Sequence, residues 1–252
     1  MLGNVSFAFN RENMPTPEEY AAAEKGDLNA QVKAAAFAYA QKDFQKAYTW
    51  TKLAADTGAA IAQVMLGILY ENGQGVNQNT AEAFKWYMKA AKQGLADAQV
   101  NVGRMYGRGR GVEKDTNKAI TWLSKAAQKG NQKAIQWLLL FFELYYYAEK
   151  NMQEAYNFAI AAAIAGSAKG QTFAGMLYEI GEGVAQNNAM AFSWYMKAAK
   201  QGLPQAQYFL ARMYEKGLGV PQDSNKAIEW LEKAAKQRYK PAKDKLLRLK
   251  NK

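Results

Sequence analysis

One interval, 36 residues, recurs along nearly the whole chain. Glycines, Ala-Ala pairs and large aromatic residues all follow it. The glycine series is Gly58, Gly94, Gly130, Gly166 and Gly202. The aromatic series is Trp50, Trp86, Trp122, Phe158, Trp194 and Trp230. A fixed period of this length indicates repeated supersecondary units, each of which buries its apolar face only by stacking on its neighbours.

The first half of a repeat has helical spacing. In the unit that begins near position 59, Ala62, Leu66 and Tyr70 lie at i, i+4 and i+8, on one face of a first helix, called helix A. Gly73 and Gly75 follow, and they suit a loop that needs positive φ angles. The pattern therefore predicts helix A, then a glycine-containing loop.

A second helix, helix B, is predicted after the loop. Asn79 with Glu82 three residues later is typical of a capping box at a helix start. Trp86 and Ala90 are spaced to pack back on helix A, and Gly94 is positioned to end the helix. Small residues at one helix A position predict close approach of neighbouring helices. These residues are Gly67, Gly103, Gly175 and Ala211.

The segments LGILYENGQGVNQNTAEAFKWYMKAAKQG and LARMYEKGLGVPQDSNKAIEWLEKAAKQ resemble the Sel-one-like repeat family, which is related to the tetratricopeptide repeats. The resemblance implies an all-α fold: a right-handed α/α superhelical solenoid of about six 36-residue helix-turn-helix repeats with terminal capping helices. We expect an arm and capping helix at 1–26, with Thr16 as the N-cap and Pro17 at the first helical position, and a basic capping helix at 239–252. The six expected repeats are 27–58, 59–94, 95–130, 131–166, 167–202 and 203–238.

Two repeats depart from the pattern, and they depart in the same way. The first lacks the G-x-G-V loop, and the fourth replaces it with FFELYYYAEK. FAYAQKDFQKAY at 37–48 aligns with YYYAEKNMQEAY at 145–156, an offset of three repeats. A duplicated block of three repeats explains both departures.

Composition excludes several kinds of chemistry. The chain has no cysteine and no histidine, which rules out disulfides, the usual zinc ligand sets, cysteine nucleophiles and histidine-dependent catalysis. The G-x-G-V loops lack the spacing of a phosphate-binding loop. We predict no catalytic, cofactor-binding or metal-binding residues, and we expect the following carboxylates to be mostly exposed: Glu12, Glu18, Glu19, Glu71, Glu143, Glu179, Glu182 and Glu215.

The net charge of +11 is concentrated at one end of the chain. Nine Lys/Arg and one Asp lie in 233–252. A solvated capping helix is the favoured interpretation of this tail, and binding to nucleic acid or to an anionic membrane surface is the alternative. No apolar run is long enough to span a bilayer, so we expect no transmembrane segment.

The segment AIQWLLLFFELYYYA, which contains Trp137 and Tyr147, is almost entirely apolar. One interpretation is a lengthened helix A buried against its neighbours. The other is an apolar binding patch, because aromatic side chains anchor protein interfaces. The sequence leaves both open.

The resemblance implies that the A helices line a concave surface that binds another protein. Candidate contacts are the positions i, i+3 and i+7 of each helix A that are not signature residues, and they vary between repeats. They are Met65, Ile68, Asn72, Asn101, Arg104, Arg108, Trp137, Leu140, Leu144, Phe173, Met176, Ile180, Phe209, Arg212 and Lys216. Their aromatic, methionine and arginine content is typical of interfaces, and the basic members predict a partner with acidic patches.

The expected function is a non-catalytic scaffold that binds a partner protein, such as an acidic effector or an envelope protein. Two alternatives stay open: an immunity protein that neutralises a toxic effector enzyme, a role that some members of the family resembled fill, and binding through the basic tail. By the same resemblance we expect a periplasmic location after removal of a signal peptide, with the cytoplasm as the alternative. We expect the chain alone to be monomeric and not to bind nucleic acid.

Overall fold

A computed structural model describes residues 14–250, and within them it contains fourteen α-helices, one π-helical segment and no strand. The expected all-α class is confirmed. The helices are α1 Pro17–Glu24, α2 Leu28–Ala40, α3 Phe44–Asp56, α4 Ala60–Asn72, α5 Thr80–Lys92, α6 Ala96–Arg108, α7 Thr116–Gln128, α8 Gln132–Glu143, α9 Met152–Ile164, α10 Ala168–Ile180, α11 Asn188–Lys200, α12 Pro204–Lys216, α13 Ser224–Lys236 and α14 Lys240–Lys250. The predicted arm before residue 14, with Glu12, lies outside the described residues.

The chain forms two compact units whose boundary follows Lys129. Unit 1 contains α1–α7 and unit 2 contains α8–α14. Within each unit every helix packs on the next one in the chain, as in a solenoid. The helix pairs from α2/α3 to α12/α13 fall within the six expected repeat ranges.

Side-chain caps fix the starts of most helices. At α1 the predicted Thr16-Pro17 start is confirmed: the Glu19 amide donates to Thr16 Oγ1, and the Thr16 amide donates to the Glu19 carboxylate. At α5 only half of the predicted capping box forms. Asn79 Oδ1 accepts from the Glu82 amide at 3.0 Å, but the Glu82 carboxylate accepts from Lys85 Nζ instead of reaching back. A lysine one turn into the helix offers that carboxylate a cationic donor.

The repeat glycines end the B helices as predicted. Gly94 has φ +91° and donates its amide to the Ala91 carbonyl, while the Leu95 amide donates to the Ala90 carbonyl at 3.3 Å. These two bonds form a Schellman motif, which requires a left-handed residue at this position. Glycine adopts that conformation without the steric cost of a Cβ.

Small residues allow the close helix contacts that the sequence predicts. A Cβ on Gly67 would lie 2.5 Å from Cε1 of Tyr87, and one on Gly175 would lie 2.7 Å from the Tyr195 ring. Both tyrosines are buried. The glycine at this position of helix A therefore leaves space for a tyrosine ring from helix B.

The repeat tryptophans are not uniformly buried. Trp86 and Trp194 are buried, but the other three members of the series are half-buried: Trp50, Trp122 and Trp230. In four repeats the lysine three residues later lies over the indole ring, for example Lys89 over Trp86 at 3.7 Å from the ring centroid. The aliphatic part of such a lysine can cover the outer side of the ring while its charge stays in water.

The two deviant repeats share a tight turn. Lys42 and Lys150 adopt the left-handed conformation, with φ +61° and +55°, and the next residue, Asp43 or Asn151, caps helix B. The fourth helix A is also lengthened, because α8 continues into a π-helical segment over Leu144–Ala148. Such segments are rare and occur frequently at functional sites.

The final helix covers the end of the last repeat. Ala242 of α14 is fully buried against Ala211 and Leu231, and Leu246 packs on the same cluster. Lys245 also forms an ion pair with Glu215 of α12. These contacts agree with the capping interpretation of the tail. Among residues 14–250, none of the helices has the length and apolarity needed to cross a membrane.

Candidate protein-binding face

The fifteen candidate contact residues divide between the two units. The unit 1 A-helix face consists of Met65, Ile68, Asn72, Asn101, Arg104 and Arg108 on α4 and α6. The unit 2 A-helix face consists of Trp137, Leu140, Leu144, Phe173, Met176, Ile180, Phe209, Arg212 and Lys216 on α8 with its π-helical segment, α10 and α12. Every one of the fifteen is half-buried or exposed, and none is a core residue.

Arg104 on the unit 1 face is held by an acid of the preceding repeat. Its Nη1 and Nη2 donate to the two carboxylate oxygens of Glu71 at 2.9 and 2.7 Å, and the Tyr87 hydroxyl donates to the same carboxylate at 3.0 Å. Little of either charged side chain is exposed. The network joins α4, α5 and α6, so the Arg104 guanidinium is already paired rather than freely presented to a partner.

Two opposing effects act on the Glu71 carboxyl. Burial by itself raises its pKa, but the hydrogen bonds and charge of Arg104, the Tyr87 hydroxyl and the nearby Arg110 outweigh burial and hold the pKa below its usual value. Burial and the charges of Arg104 and Arg110 lower the pKa of Arg108. Arg104, Arg108 and Arg110 thus lie close enough to influence one another electrostatically, together with Glu71.

Unit 2 repeats the arrangement three repeats later. Arg212 Nη2 donates to Glu179 Oε1 at 2.8 Å, and the Tyr195 hydroxyl donates to Glu179 Oε2 at 2.9 Å. Burial, together with the Glu179 charge, raises the pKa of Tyr195. Arg212 makes one hydrogen bond to its acid where Arg104 makes two, and its side chain is more exposed.

The expectation of mostly exposed carboxylates is wrong for five residues. Glu19, Glu71, Glu179, Glu182 and Glu215 are half-buried, because each has a tyrosine, arginine or lysine partner within its unit. Glu18 and Glu143 are exposed, as expected. Sequence reasoning missed the Glu–Tyr–Arg network, although its members recur at the interval that separates the duplicated blocks.

The aromatic segment of the fourth repeat is both core and surface. Leu138, Phe141, Phe142 and Tyr145 are buried, and Trp137 is half-buried against Phe141, with ring centroids 5.7 Å apart. On the other side of the helix Leu140 is 45% exposed and Leu144 is 38% exposed, and Tyr147 is more exposed still. One face of the segment is therefore core, and the other is exposed and apolar, so a binding patch on that face stays a prediction.

Side-chain stacking links the helices of the unit 2 face. Phe173 of α10 stacks on Phe142 of α8 with ring centroids 4.2 Å apart, and Phe209 of α12 contacts Tyr195 at 5.1 Å. Both candidate phenylalanines are half-buried by these contacts. They therefore form the floor of the face, while Leu144, Ile180 and Lys216, two turns further along each helix, are exposed.

The G-x-G-V loops have a packing role. A Cβ on Gly75 would lie 2.0 Å from the Phe44 carbonyl oxygen, and one on Gly183 would lie 2.0 Å from that of Met152. The second glycine of the loop thus sits against the start of the preceding helix B. Among residues 14–250, no cluster of three or more acidic side chains could hold a metal ion.

The sequence matches the profile of one protein family. A profile of the Sel1 repeat matches residues 34–58, 60–95, 96–131, 168–203 and 204–239, which is more than half of the chain, and it passes over the deviant fourth repeat. No curated protein matches the sequence.

Solved structures show the same fold. A Sel1 repeat protein from Oxalobacter formigenes is 30% identical with a TM-score of 0.66, and the match covers 93% of this chain and 72% of that one. The protein c5321, a protective antigen of uropathogenic Escherichia coli strains, is 33% identical with a TM-score of 0.54. That match covers 91% of this chain, which spans 49% of the antigen's length. Immunity protein Pa5087 from Pseudomonas aeruginosa is 22% identical with a TM-score of 0.36, and this likeness is too low to bear on function.

Proposed function

Because the chain belongs to the Sel1 repeat family, we propose that it is a non-catalytic scaffold that binds a partner protein through its A-helix faces. One observation carries the proposal. Packing positions repeat between the two blocks, as in the pairs Gly67–Tyr87 and Gly175–Tyr195, while the exposed positions of the same helices differ. A constant framework with a variable surface suits recognition of a particular partner.

The chemistry of the variable positions supports the proposal. They combine aromatic, methionine and arginine side chains, which are enriched at interfaces. Cations lie on α6 in unit 1 and on α12 in unit 2, at Arg108 and Lys216 among others. We therefore propose a partner with acidic patches, and we propose the periplasm as the place of the encounter, which fractionation of the native host would test.

Site-specific photocrosslinking tests which surface is used. A photoreactive amino acid is placed at Asn72 or Ile180 on the A-helix faces, and at Leu53 or Ile164 on B helices as matched controls, since all four side chains are exposed. We expect a discrete adduct in the native host from the A-helix positions and none from the controls. Equal adducts from both sets, or adducts from the B helices alone, would contradict the proposal.

The identity of the crosslinked protein then separates the roles within this class. An enzyme whose activity is lost on stoichiometric mixing with the purified chain would indicate an immunity role. A set of envelope proteins without such inhibition would indicate an adaptor.

A further inference from the structure

We infer that the unit 2 A-helix face binds an amphipathic α-helix of the partner, with the apolar side of that helix on α8 and α10 and its carboxylates on α12. This inference rests on the proposed function and specifies the chemistry of the partner.

Equivalent positions of the three A helices form three rows across the unit 2 face. Each row takes one residue from each helix at 36-residue intervals. The rows are Trp137, Phe173 and Phe209; Leu140, Met176 and Arg212; and Leu144, Ile180 and Lys216. The first row is the half-buried aromatic floor. The other two are apolar on α8 and α10 and cationic on α12.

The apolar part of the face is larger than the core of unit 2 requires. Leu138, Phe141 and Phe142 already bury the inner side of α8, yet Leu140 and Ile180 are 45% and 47% exposed. Exposed apolar side chains that gather on one face mark interaction sites.

Unit 1 lacks this apolar surface at the corresponding helix. Its equivalents of Trp137, Leu140 and Leu144 on α2 are Asn29, Val32 and Ala36, which are smaller or polar. The fourth repeat is also the one with the π-helical segment and without a profile match. The apolar patch is thus a specific addition of unit 2.

The cationic end of the face can accept negative charge. Lys216 is exposed and has no ion-pair partner in the part of the chain that the structure describes. Arg212 gives only one hydrogen bond to Glu179, so further N–H donors of its guanidinium are available to a second carboxylate. Acidic side chains, or the negative end of a helix dipole, would complement this charge.

A helix fits this face better than an extended segment. The three A helices satisfy their backbone groups internally, and the described residues contain no strand, so an extended partner would find no sheet edge to pair with. A helix brings its own backbone hydrogen bonds and presents one apolar stripe. A helix of 15 residues has about four turns and is about 22 Å long at 1.5 Å per residue.

A displayed library of random 15-residue peptides, selected on the full chain, tests the inference. The Leu140→Lys/Ile180→Lys double variant serves for counter-selection, and circular dichroism checks that it folds. We expect the enriched peptides to carry apolar residues at helical spacing followed by Asp or Glu. Enrichment of basic or proline-containing extended peptides, or no enrichment relative to the double variant, would overturn the inference.

Point variants then test orientation with a selected peptide. Ile180→Lys should weaken its binding by about tenfold or more, as expected for a central apolar contact. The control Ile164→Lys, at a 68% exposed position on helix B α9, should leave affinity unchanged. Lys216→Glu should weaken binding and should be compensated by Lys in place of the peptide's acidic residues. Equal effects of the two isoleucine variants, or no compensation, would overturn the proposed orientation.

This test can fail while the proposed function survives. Crosslinks from the A-helix positions without selection of acidic amphipathic peptides would refute only the helical partner. Absence of A-helix crosslinks would refute the proposed function itself.

Discussion

At the scale of single residues, one glutamate in each unit joins two successive repeats. Glu71 and Glu179 each accept a hydrogen bond from a buried tyrosine of their own repeat and one or more from an arginine of the next. The same tyrosine ring fills the space left by a glycine on helix A. The tyrosine therefore takes part in both the packing against the glycine and the hydrogen bonding of the glutamate. A substitution that disturbs one of these contacts should weaken the other.

The Gly67–Tyr87 contact can be tested by adding one methyl group. Gly67→Ala should lower the free energy of unfolding by about 1–2 kcal/mol, because overpacking costs more than the helix propensity gained. The sixth repeat pairs Ala211 with Leu231 at these positions. Gly67→Ala/Tyr87→Leu should therefore cost less than the sum of the single changes in urea unfolding, and strict additivity would contradict this account.

The Glu71 network predicts acid sensitivity. The pKa of Glu71 is lower in the folded chain than its ordinary value, so the unfolded state binds more protons between these two pKa values. The stabilisation is complete above the ordinary value of about 4.3 and is lost as pH falls through the lowered folded value. Urea unfolding at a series of pH values should show a shallower acid slope for Glu71→Gln than for the native chain. Superimposable slopes would show that Glu71 makes no contribution.

At the scale of elements, the first and fourth repeats differ from the rest because of how helix A ends. Four repeats end it with glycine in the left-handed conformation, for example Gly73 and Gly181, and continue into the G-x-G-V loop. The two deviants use a short turn with a left-handed lysine instead. The turn that these two repeats share supports the interpretation of a duplicated three-repeat block.

The left-handed lysines predict a stabilising substitution. Lys150→Gly should raise the free energy of unfolding by about 0.5–1 kcal/mol, because glycine removes the steric cost of positive φ, and Lys42→Gly should act in the same direction. Lys85→Gly, in the middle of α5, is the matched control and should lower it by about 1 kcal/mol. Thermal and urea unfolding would measure the change in the free energy of unfolding for each variant. A decrease for Lys150→Gly would contradict the explanation.

At the scale of the whole molecule, the chain consists of two compact units that carry the same internal network and different exposed faces. Unit 1 presents asparagine and arginine among its contact positions, while unit 2 presents an aromatic and aliphatic surface that becomes cationic at α12. Unit 2 also carries the capping helix α14, which lies within the range 233–252 that holds most of the net charge.

Truncation after Arg238 tests the role of α14. It would uncover the cluster around Leu231 and should lower the free energy of unfolding by about 2–4 kcal/mol, from the lost burial of Ala242 and Leu246. Replacement of the exposed Lys240, Lys243 and Arg248 by Gln should change it by less than about 0.5 kcal/mol. If the charge variant lost as much stability as the truncated chain, the capping role would be contradicted. If the native chain bound nucleic acid with an affinity that falls steeply with salt, and the charge variant did not bind it, the alternative role of the tail would be favoured.

The sequence by itself determined the helical class, the repeat register and the positions of most turns and caps. These features are local or strictly periodic: a positive φ at Gly94, a cap at Thr16 and a small residue at Gly67 each follow from backbone sterics or fixed spacing. The candidate contacts follow from the family resemblance together with helical spacing, and that spacing avoids the core, since none of the fifteen is a buried residue.

Only the tertiary structure decided which charges pair and which residues of the aromatic segment are buried or exposed. Glu71 and Arg104 are 33 residues apart and look like two solvent-exposed charges in sequence, but packing of consecutive repeats brings them into a bidentate contact. The segment from Trp137 to Tyr147 has Glu143 as its single charged residue, so hydrophobic periodicity could not assign its buried and exposed faces. Phe141 and Phe142 are on the buried face because they contact Phe158 and Phe173, whose positions are set by the packing of the next helices.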